Sequence, residues 1–442
     1  MKMETKQNPP PHQSARCAHR RWPASRSVAR HLEDSIAVPI DPCAVSADTP
    51  GPESELGEPL SLQSLTEPTI ASTFRMSVDG DRSRRPSFAA PKPRHPWTAR
   101  SMNTAIDLFA GAGGLSTGLR VAGFDVRGAV ELDPTSAATY RANHPSTHVV
   151  VRDIRSITGP WLLREVGLER GELDLLTGCP PCQGFSSLRT RRRATRSGDP
   201  RNDLVQEVLR LIRSIRPRAV VLENVPGLAQ NPRFSLLRSG LTRSGYSHDF
   251  TVVDATRYGV PQRRKRLVLL ALRGQRPVPV DWAAPTGIVF RTVRDTIAQL
   301  PPAGGSGDPL HDAPERRSRN VLARIQATPK DGGSRRDVPE EFALDCHLAS
   351  DGYSDVYGRM AWDSPSPTIT SGCHNPSKGR FLHPQEDRAI TLREAALLQT
   401  FPPSYQFDLS RGKEHVARQI GNAFPPRLIE PIATRLAQEV LS

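Results

Sequence analysis

Cysteine, lysine and aromatic residues are scarce in this 442-residue chain. Its six cysteines are Cys17, Cys43, Cys179, Cys182, Cys346 and Cys373. They are too few to staple a chain of this length, which excludes a disulfide-scaffold protein. Cys179 and Cys182 have the spacing of a redox pair or of half a zinc site. The Cys346-His347 and Cys373-His374 pairs do not complete that site at a standard spacing, so no metal is expected. No run of eighteen apolar residues occurs, so no membrane span is expected. The first twenty residues, MKMETKQNPPPHQSARCAHR, lack the apolar centre of a signal peptide. These absences lead us to expect a soluble cytoplasmic protein. Lysine is replaced by arginine, 7 against 53. A GC-rich coding bias exchanges one cation for the other, but it does not by itself create the net charge of +14. That charge suits a polyanionic partner, most simply nucleic acid.

The chain changes character near residue 102. Residues 1–101 contain 14 of the 42 prolines, few aromatics and a net charge of only +3, leaving +11 for the remainder. This stretch reads as a disordered tail, and Met102 could be the translation start. From there, short apolar runs alternate with helical patterns. The runs predict strands at Thr104–Phe109, Val126–Val130, His148–Val151, Leu173–Leu176, Ala219–Leu222, Phe250–Val253 and Leu267–Leu272. The clearest helix is Asp203–Ile215, with Leu204, Val205, Val208, Leu211, Ile212 and Ile215 on one face, Asp203 as N-cap and Pro217 as terminator. Such alternation implies an α/β fold with a doubly wound, mostly parallel, Rossmann-like sheet. The expected organisation is a catalytic and cofactor-binding domain at 102–274. A smaller second domain follows at 275–388, where periodicity weakens. The last segment, 389–442, returns to the first domain through helices at Leu392–Leu398 and Arg427–Val440.

Chemistry-bearing residues recur where strands end, and in an open parallel sheet ligands bind beyond the carboxyl ends of the strands. The first strand runs into Asp107-Leu-Phe-Ala-Gly-Ala-Gly-Gly114, whose glycines permit a tight turn close to a ligand. Glu131 follows 20 residues after Gly111, a distance that suits a ribose hydroxyl. Asp153 follows the third strand and could accept a bond from an adenine amino group. Together they favour an adenosine ligand. The fourth strand ends in Gly178-Cys-Pro-Pro-Cys-Gln-Gly-Phe-Ser186, where a cysteine could act as a nucleophile if ionised and accessible. The fifth ends in Glu223-Asn224-Val225-Pro226, where a buried carboxyl could serve as an acid. Gly259-Val-Pro-Gln-Arg-Arg-Lys-Arg266 precedes the seventh. Each of these alone could be a core cysteine, a helix cap or a solvated charge run. Their succession along one rim is what those readings do not explain.

In this order the motifs resemble those of the DNA (cytosine-5) methyltransferase family of bacterial restriction-modification type, over nearly all of 103–274 and 389–428. The segments concerned are DLFAGAGGLSTGL (107–119), GCPPCQGFS (178–186), ENVPGL (223–228), QRRKR (262–266), LREAALLQTFP (392–402) and QIGNAFPP (419–426). The resemblance implies an S-adenosyl-L-methionine-dependent methyltransferase fold with a small target-recognition domain. It implies Cys182 as nucleophile and Cys179 as a bystander, with Glu223, Arg264 and Arg266 in the catalytic set. It further implies cofactor contacts from Phe109, Ala110, Gly111, Gly113, Gly114, Leu115, Glu131, Leu132, Asp153, Ile154 and Asn422. DNA contacts are expected from Pro181, Gln183, Ser186, Gln262 and the basic loop bearing Arg189, Arg191, Arg192 and Arg193.

The chemistry is consistent with these residue types. C5 of cytosine is a poor nucleophile until a thiolate adds at C6. Charge then develops toward N3, where Glu223, kept protonated, would donate. Arg264 and Arg266 would hold the base's O2 or a flanking phosphate. The target base must leave the stack, as the handling of bases by methyltransferases requires. The expected partner is duplex DNA, with a cognate restriction endonuclease acting at the same site and the enzyme itself a monomer. Base readers are sought within 275–388 at Arg335, Arg336, Arg359, Asn375, Lys378 and Arg380. Three rival readings fit less well. An RNA methyltransferase shares the motifs but has a shorter recognition region. A dead DNA-binding regulator conflicts with the intact Cys182, Glu223 and Arg264. A thiol redox protein conflicts with the surrounding nucleotide pocket.

Overall fold

The computed structural model describes residues 102–181, 203–274, 277–279, 282–283, 289–348 and 354–441. The tail expected at 1–101 lies outside them. Seven strands form one sheet in the order β3-β2-β1-β4-β5-β7-β6. They are β1 (Thr104–Leu108), β2 (Asp125–Glu131), β3 (His148–Val151), β4 (Leu175–Gly178), β5 (Ala219–Asn224), β6 (Tyr246–Asp254) and β7 (Lys265–Arg273). The first five pair in parallel, and β7 runs antiparallel between β5 and β6.

Central strands are buried on both faces, so they appear in the sequence as apolar runs. All five residues of β1 are buried. The edge strand β6 has half-exposed polar residues at most positions, which explains why only Phe250–Val253 shows in the pattern. At the working end of the sheet the apolar rule stops too early. β4 continues through Thr177 to Gly178, and β5 continues through Glu223 to Asn224. Glu223 is therefore a strand residue anchored by the ladder, not a loop residue beyond it.

Helices cover both faces. They include α1 (Gly114–Val121), α2 (Pro134–Asn143), α3 (Gly159–Glu165), α4 (Leu204–Ile215) and α5 (Pro232–Arg243). In α4 the apolar face found in the sequence is buried from Leu204 to Ile215. Asp203 stands at the N-cap position but does not cap; it pairs with Arg233 at 2.9 Å. Arg216 adopts a left-handed conformation before Pro217, ending the helix. None of the described helices is long and apolar enough to cross a membrane.

Among the described residues between β7 and Leu392 the one helix longer than four residues is α6 (Arg319–Ala327), in mostly irregular chain. Ile325, Tyr357 and Leu382 form a small core of their own. Val293, Leu310, Met360, Ile369 and Phe381 instead share a core with the returning segment. That segment contains α7 (Leu392–Leu398), α8 (Gly412–Asn422) and α9 (Pro426–Arg435). Thr391 and Glu394 form a reciprocal capping box that starts α7. The helix expected over 427–440 is α9 followed by a π-turn, Leu436–Val440. Packing of α9 on α1 returns the C-terminal segment to the sheet.

Candidate cofactor and catalytic site

The strand order reverses between β1 and β4, which lie side by side. Such a reversal opens a crevice at the carboxyl ends of the two strands. At the end of β1, Phe109 takes φ 58° and Gly111 φ 54°. A left-handed conformation in an aromatic residue costs on the order of 1–3 kcal/mol. It turns the chain so that the Ala110 amide donates to the Val130 carbonyl at 3.0 Å and the Gly111 amide to Glu131 Oε2 at 2.8 Å. The other oxygen of Glu131 accepts from the Asp133 amide at 2.8 Å. Burial raises the Glu131 carboxyl above its ordinary value, and these amide bonds pull it back. Each oxygen retains acceptor capacity for a ligand hydroxyl.

Glu131 is in register with Val151 of β3, which brings Leu132, Asp153 and Ile154 to the same rim. Leu132 is 64% exposed, an apolar side chain available to a flat ring. Asp153 caps the turn Ile154–Ser156 through the Arg155 amide at 2.9 Å, and Ile154 is buried. Ala110 and Leu115 are core residues: Leu115 packs with Leu119 and Phe424, so its side chain does not face the crevice.

The glycines divide. Space is open where a Cβ on Gly111 would stand. A Cβ on Gly113 would come within 2.8 Å of His144 Nε2 and the Tyr405 hydroxyl, and one on Gly114 within 2.5 Å of the Phe424 carbonyl. Those two glycines make room for the chain's own C-terminal segment, whereas ligand approach explains Gly111. Tyr405 was not singled out in the sequence; its hydroxyl donates to the Ala112 carbonyl and lies 3.1 Å from His144. Burial lowers His144 to about 4, so its imidazole is neutral. Beneath the turn, Ser116 donates to the buried Asp107 at 2.7 Å, and Tyr140 donates to Ser116 at 2.7 Å. Burial raises Asp107 to about 7.

Across the crevice, Cys182, Gln183, Ser186, Arg189, Arg191, Arg192 and Arg193 lie outside the described residues. The chain leading to them is fixed at two points. Cys179 donates its amide to the Leu108 carbonyl at 3.3 Å, and Asn224 Nδ2 donates to the Pro180 carbonyl at 2.9 Å. Pro181 is half-buried. Asn224 is a second residue that sequence reasoning missed, although it stands inside a matched motif. Glu223 pairs with Arg266 at 2.7 Å, both side chains largely buried. The pair is a carboxylate–guanidinium contact.

Five expectations need correction. Arg264, expected at the base or a phosphate, is buried, with its guanidinium turned inward to the carbonyls of Ile369, Gly421 and Ala423 at 3.0–3.1 Å. Gln262, expected on DNA, is fully buried; its amide bonds Gln399 at 2.5 Å and accepts from the Ile369 amide at 3.0 Å. Both side chains tie the segment around Ile369 to α7 and α8. Through Gly421 and Ala423, Arg264 fixes the exposed Asn422 between them. Arg359, Arg335 and Arg380 are likewise committed to the fold. Arg359 is fully buried and bonds the carbonyls of Ile325, Thr328, His383 and Glu386 together with Asp387. Arg335 bonds the His347 carbonyl, and Arg380 those of Gly332, Gly333 and Arg359. Arg336 and Lys378 are exposed, and Asn375 caps a short turn through Ser377. Among the described residues no three His, Cys, Asp or Glu side chains converge as a metal site would require.

The profile of the C-5 cytosine-specific DNA methylase family matches residues 103–438. A type II methylase of Herpetosiphon aurantiacus, M.HgiDII, is 40% identical over 346 residues, spanning 75% of this chain and 94% of that protein. The type II methyltransferase M1.HphI of Haemophilus parahaemolyticus is 34% identical over 342 residues, spanning 75% and 85%. A solved E. coli prophage structure described as a DNA modification methyltransferase superposes with a TM-score of 0.56 at 26% identity, covering 77% of this chain and all of that one.

Proposed function

The chain belongs to the C-5 cytosine-specific DNA methylase family and is a DNA (cytosine-5) methyltransferase; from that membership we propose that it methylates cytosine within one duplex DNA sequence through a covalent Cys182 adduct on a flipped-out base. The adjacency of β1 and β4 carries this reading, because it brings an adenosine-suited rim beside the strand that leads to Cys182. The residues present fit S-adenosyl-L-methionine. Open space at Gly111, the Glu131 carboxylate held by two amides, exposed Leu132 and Asp153 form a rim of the right chemistry, with Asn422 contributed from α8. When bound, that molecule supplies an electrophilic methyl group on a sulfonium.

The protein's own part is as follows. The Cys182 thiolate adds to C6 of cytosine, and the ring's C5–C6 π electrons become an enamine at C5. Glu223 delivers a proton toward N3. With Arg266 beside it in the free protein, Glu223 must take up that proton as the base enters. After methylation, loss of the C5 proton expels the thiolate from C6 and restores the double bond, and N3 returns its proton to Glu223. Arg266 stays with Glu223, and Arg264 positions the Asn422 turn from behind. Arg189, Arg191, Arg192 and Arg193 meet phosphates, together with part of the chain's net charge of +14. The type II names of the relatives favour a restriction-modification context with an endonuclease reading the same site.

Duplex DNA bearing 5-fluorocytosine at the target tests the mechanism, since fluorine blocks the final elimination. A trapped adduct that maps by peptide to Cys182 and disappears in Cys182→Ser is expected. An adduct at Cys179, or one that survives Cys182→Ser, sinks the assignment.

A further inference from the structure

Cys179 is a half-buried cysteine whose thiol the proposed chemistry does not use. Register shows where it stands. Gly178 pairs with Leu108 of β1 on one side and Leu222 of β5 on the other. The next rung therefore sets Cys179 beside Glu223. Side chains alternate across a strand, so Asp107, Cys179 and Glu223 share the face whose core contains Ala105, Leu175, Val221 and Val268. Arg266 of β7 reaches the same face two residues from Val268, the partner of Glu223. Three neighbouring strands thus set Cys179, Glu223 and Arg266 at the working edge, while Asp107 lies on the same face two residues further back, opposite Thr177. Both carboxyls are fixed, Asp107 by Ser116 and Glu223 by Arg266. The chain at Cys179 is fixed as well, by its amide on Leu108 and by Asn224 on the Pro180 carbonyl.

We propose that Cys179 is a positioning residue whose S–H donates to the Glu223 carboxylate from the side opposite Arg266. Burial, with the charges of Glu223 and Asp107 and the hydrogen bond to Glu223, pushes the thiol well above its ordinary value, so it remains a neutral donor. A neutral group is needed there: an anion would face two carboxyls, and a purely apolar one would leave the second side of Glu223 without a donor. The groups facing Glu223 are Arg266 from β7, Cys179 from the end of β4 and, one strand further, Asp107 from β1.

The proposal rests on Glu223 acting as the acid. Single-turnover methylation by the full chain is therefore measured against pH in the unaltered protein and in Cys179→Ala, Cys179→Val, Cys179→Ser and Glu223→Gln. The S–H donor favours the ionised carboxylate. Without it the alkaline limb of the rate moves upward. We expect a shift of about half a pH unit in the Ala and Val variants, the scale of a weak hydrogen bond to a charge. Ser keeps a donor and should return the limb to its original place, with KM for S-adenosyl-L-methionine within about twofold throughout. Val fills the thiol's space, so a folding loss confined to Ala leaves the comparison intact. An alkaline limb that stays put in Ala and Val, or a Ser variant that behaves like them, overturns the role of Cys179. A change in KM alone does so too, since it would mark mere packing. If Glu223→Gln keeps the full rate and the limb, it is the acid reading of Glu223 that fails.

Discussion

Asp107 shows how one residue's surroundings set its chemistry. It stands in β1, an interior strand of the sheet, 1% exposed, and accepts from Ser116. Burial raises its carboxyl from 3.8 to about 7. The folded state therefore keeps a proton that the unfolded state releases, and stability falls as pH rises from about 4 to about 7. Above that range both states are ionised and the full penalty persists. Asp107→Asn removes the titrating group and keeps an acceptor for Ser116. Its melting temperature relative to the unaltered protein should rise between pH 5 and pH 8. The expected gain is about 3 °C or more, because each kcal/mol moves a fold of this size by roughly 2–4 °C. A difference that is equal at both pH values would show that Asp107 is not buried as a free acid. Buried arginine teaches a related lesson. Arg264 and Arg359 carry the charge expected of DNA-binding groups, but their guanidinium donors are spent on the fold's own carbonyls. A sequence shows which residues are cationic; it does not show which carbonyls surround them.

Among the elements, the contact of α1 with α9 ties the cofactor turn to the far end of the chain. Gly118 makes it possible, since a Cβ there would lie 2.3 Å from Ile429 Cγ2 and 2.3 Å from the Pro426 carbonyl. Gly118→Ala gains up to about 1 kcal/mol of helix propensity, but the clash with a backbone carbonyl forces the helices apart at a cost of about 1–3 kcal/mol. The expected net result is a lower urea midpoint together with weaker S-adenosyl-L-methionine binding, because α1 opens from the glycine turn. A higher midpoint with unchanged binding would show that the contact is slack. In the sequence the motif containing Gly118 has the look of a ligand turn alone. Its helix partner lies more than three hundred residues further along the chain, and no local pattern announces such a pairing.

At the scale of the whole molecule, the stretch after β7 is where target choice is expected, because the motif-bearing sheet must treat every target cytosine alike. The Arg359 hub joins Ile325 to Asp387, so the stretch must move as one piece. Replacing 275–388 by the equivalent stretch of a relative with a different site should transfer the donor's site, read by sequencing of methylated DNA. An active chimera that still marks the original site would place recognition in the core or in the catalytic loop. The sequence by itself determined the seven strands, their alternation with helices and the motif residues at their carboxyl ends, because burial on both faces writes apolar runs and glycines mark the turn. It could not determine which glycines face ligand and which face Tyr405 or Phe424, nor that Gln262 and Arg264 look inward. Nor could it show that Cys179 and Glu223 stand on one rung. Those facts depend on which distant segments meet, and contacts between residues far apart in sequence leave no local period; only the tertiary packing of the C-terminal segment against the sheet decides them.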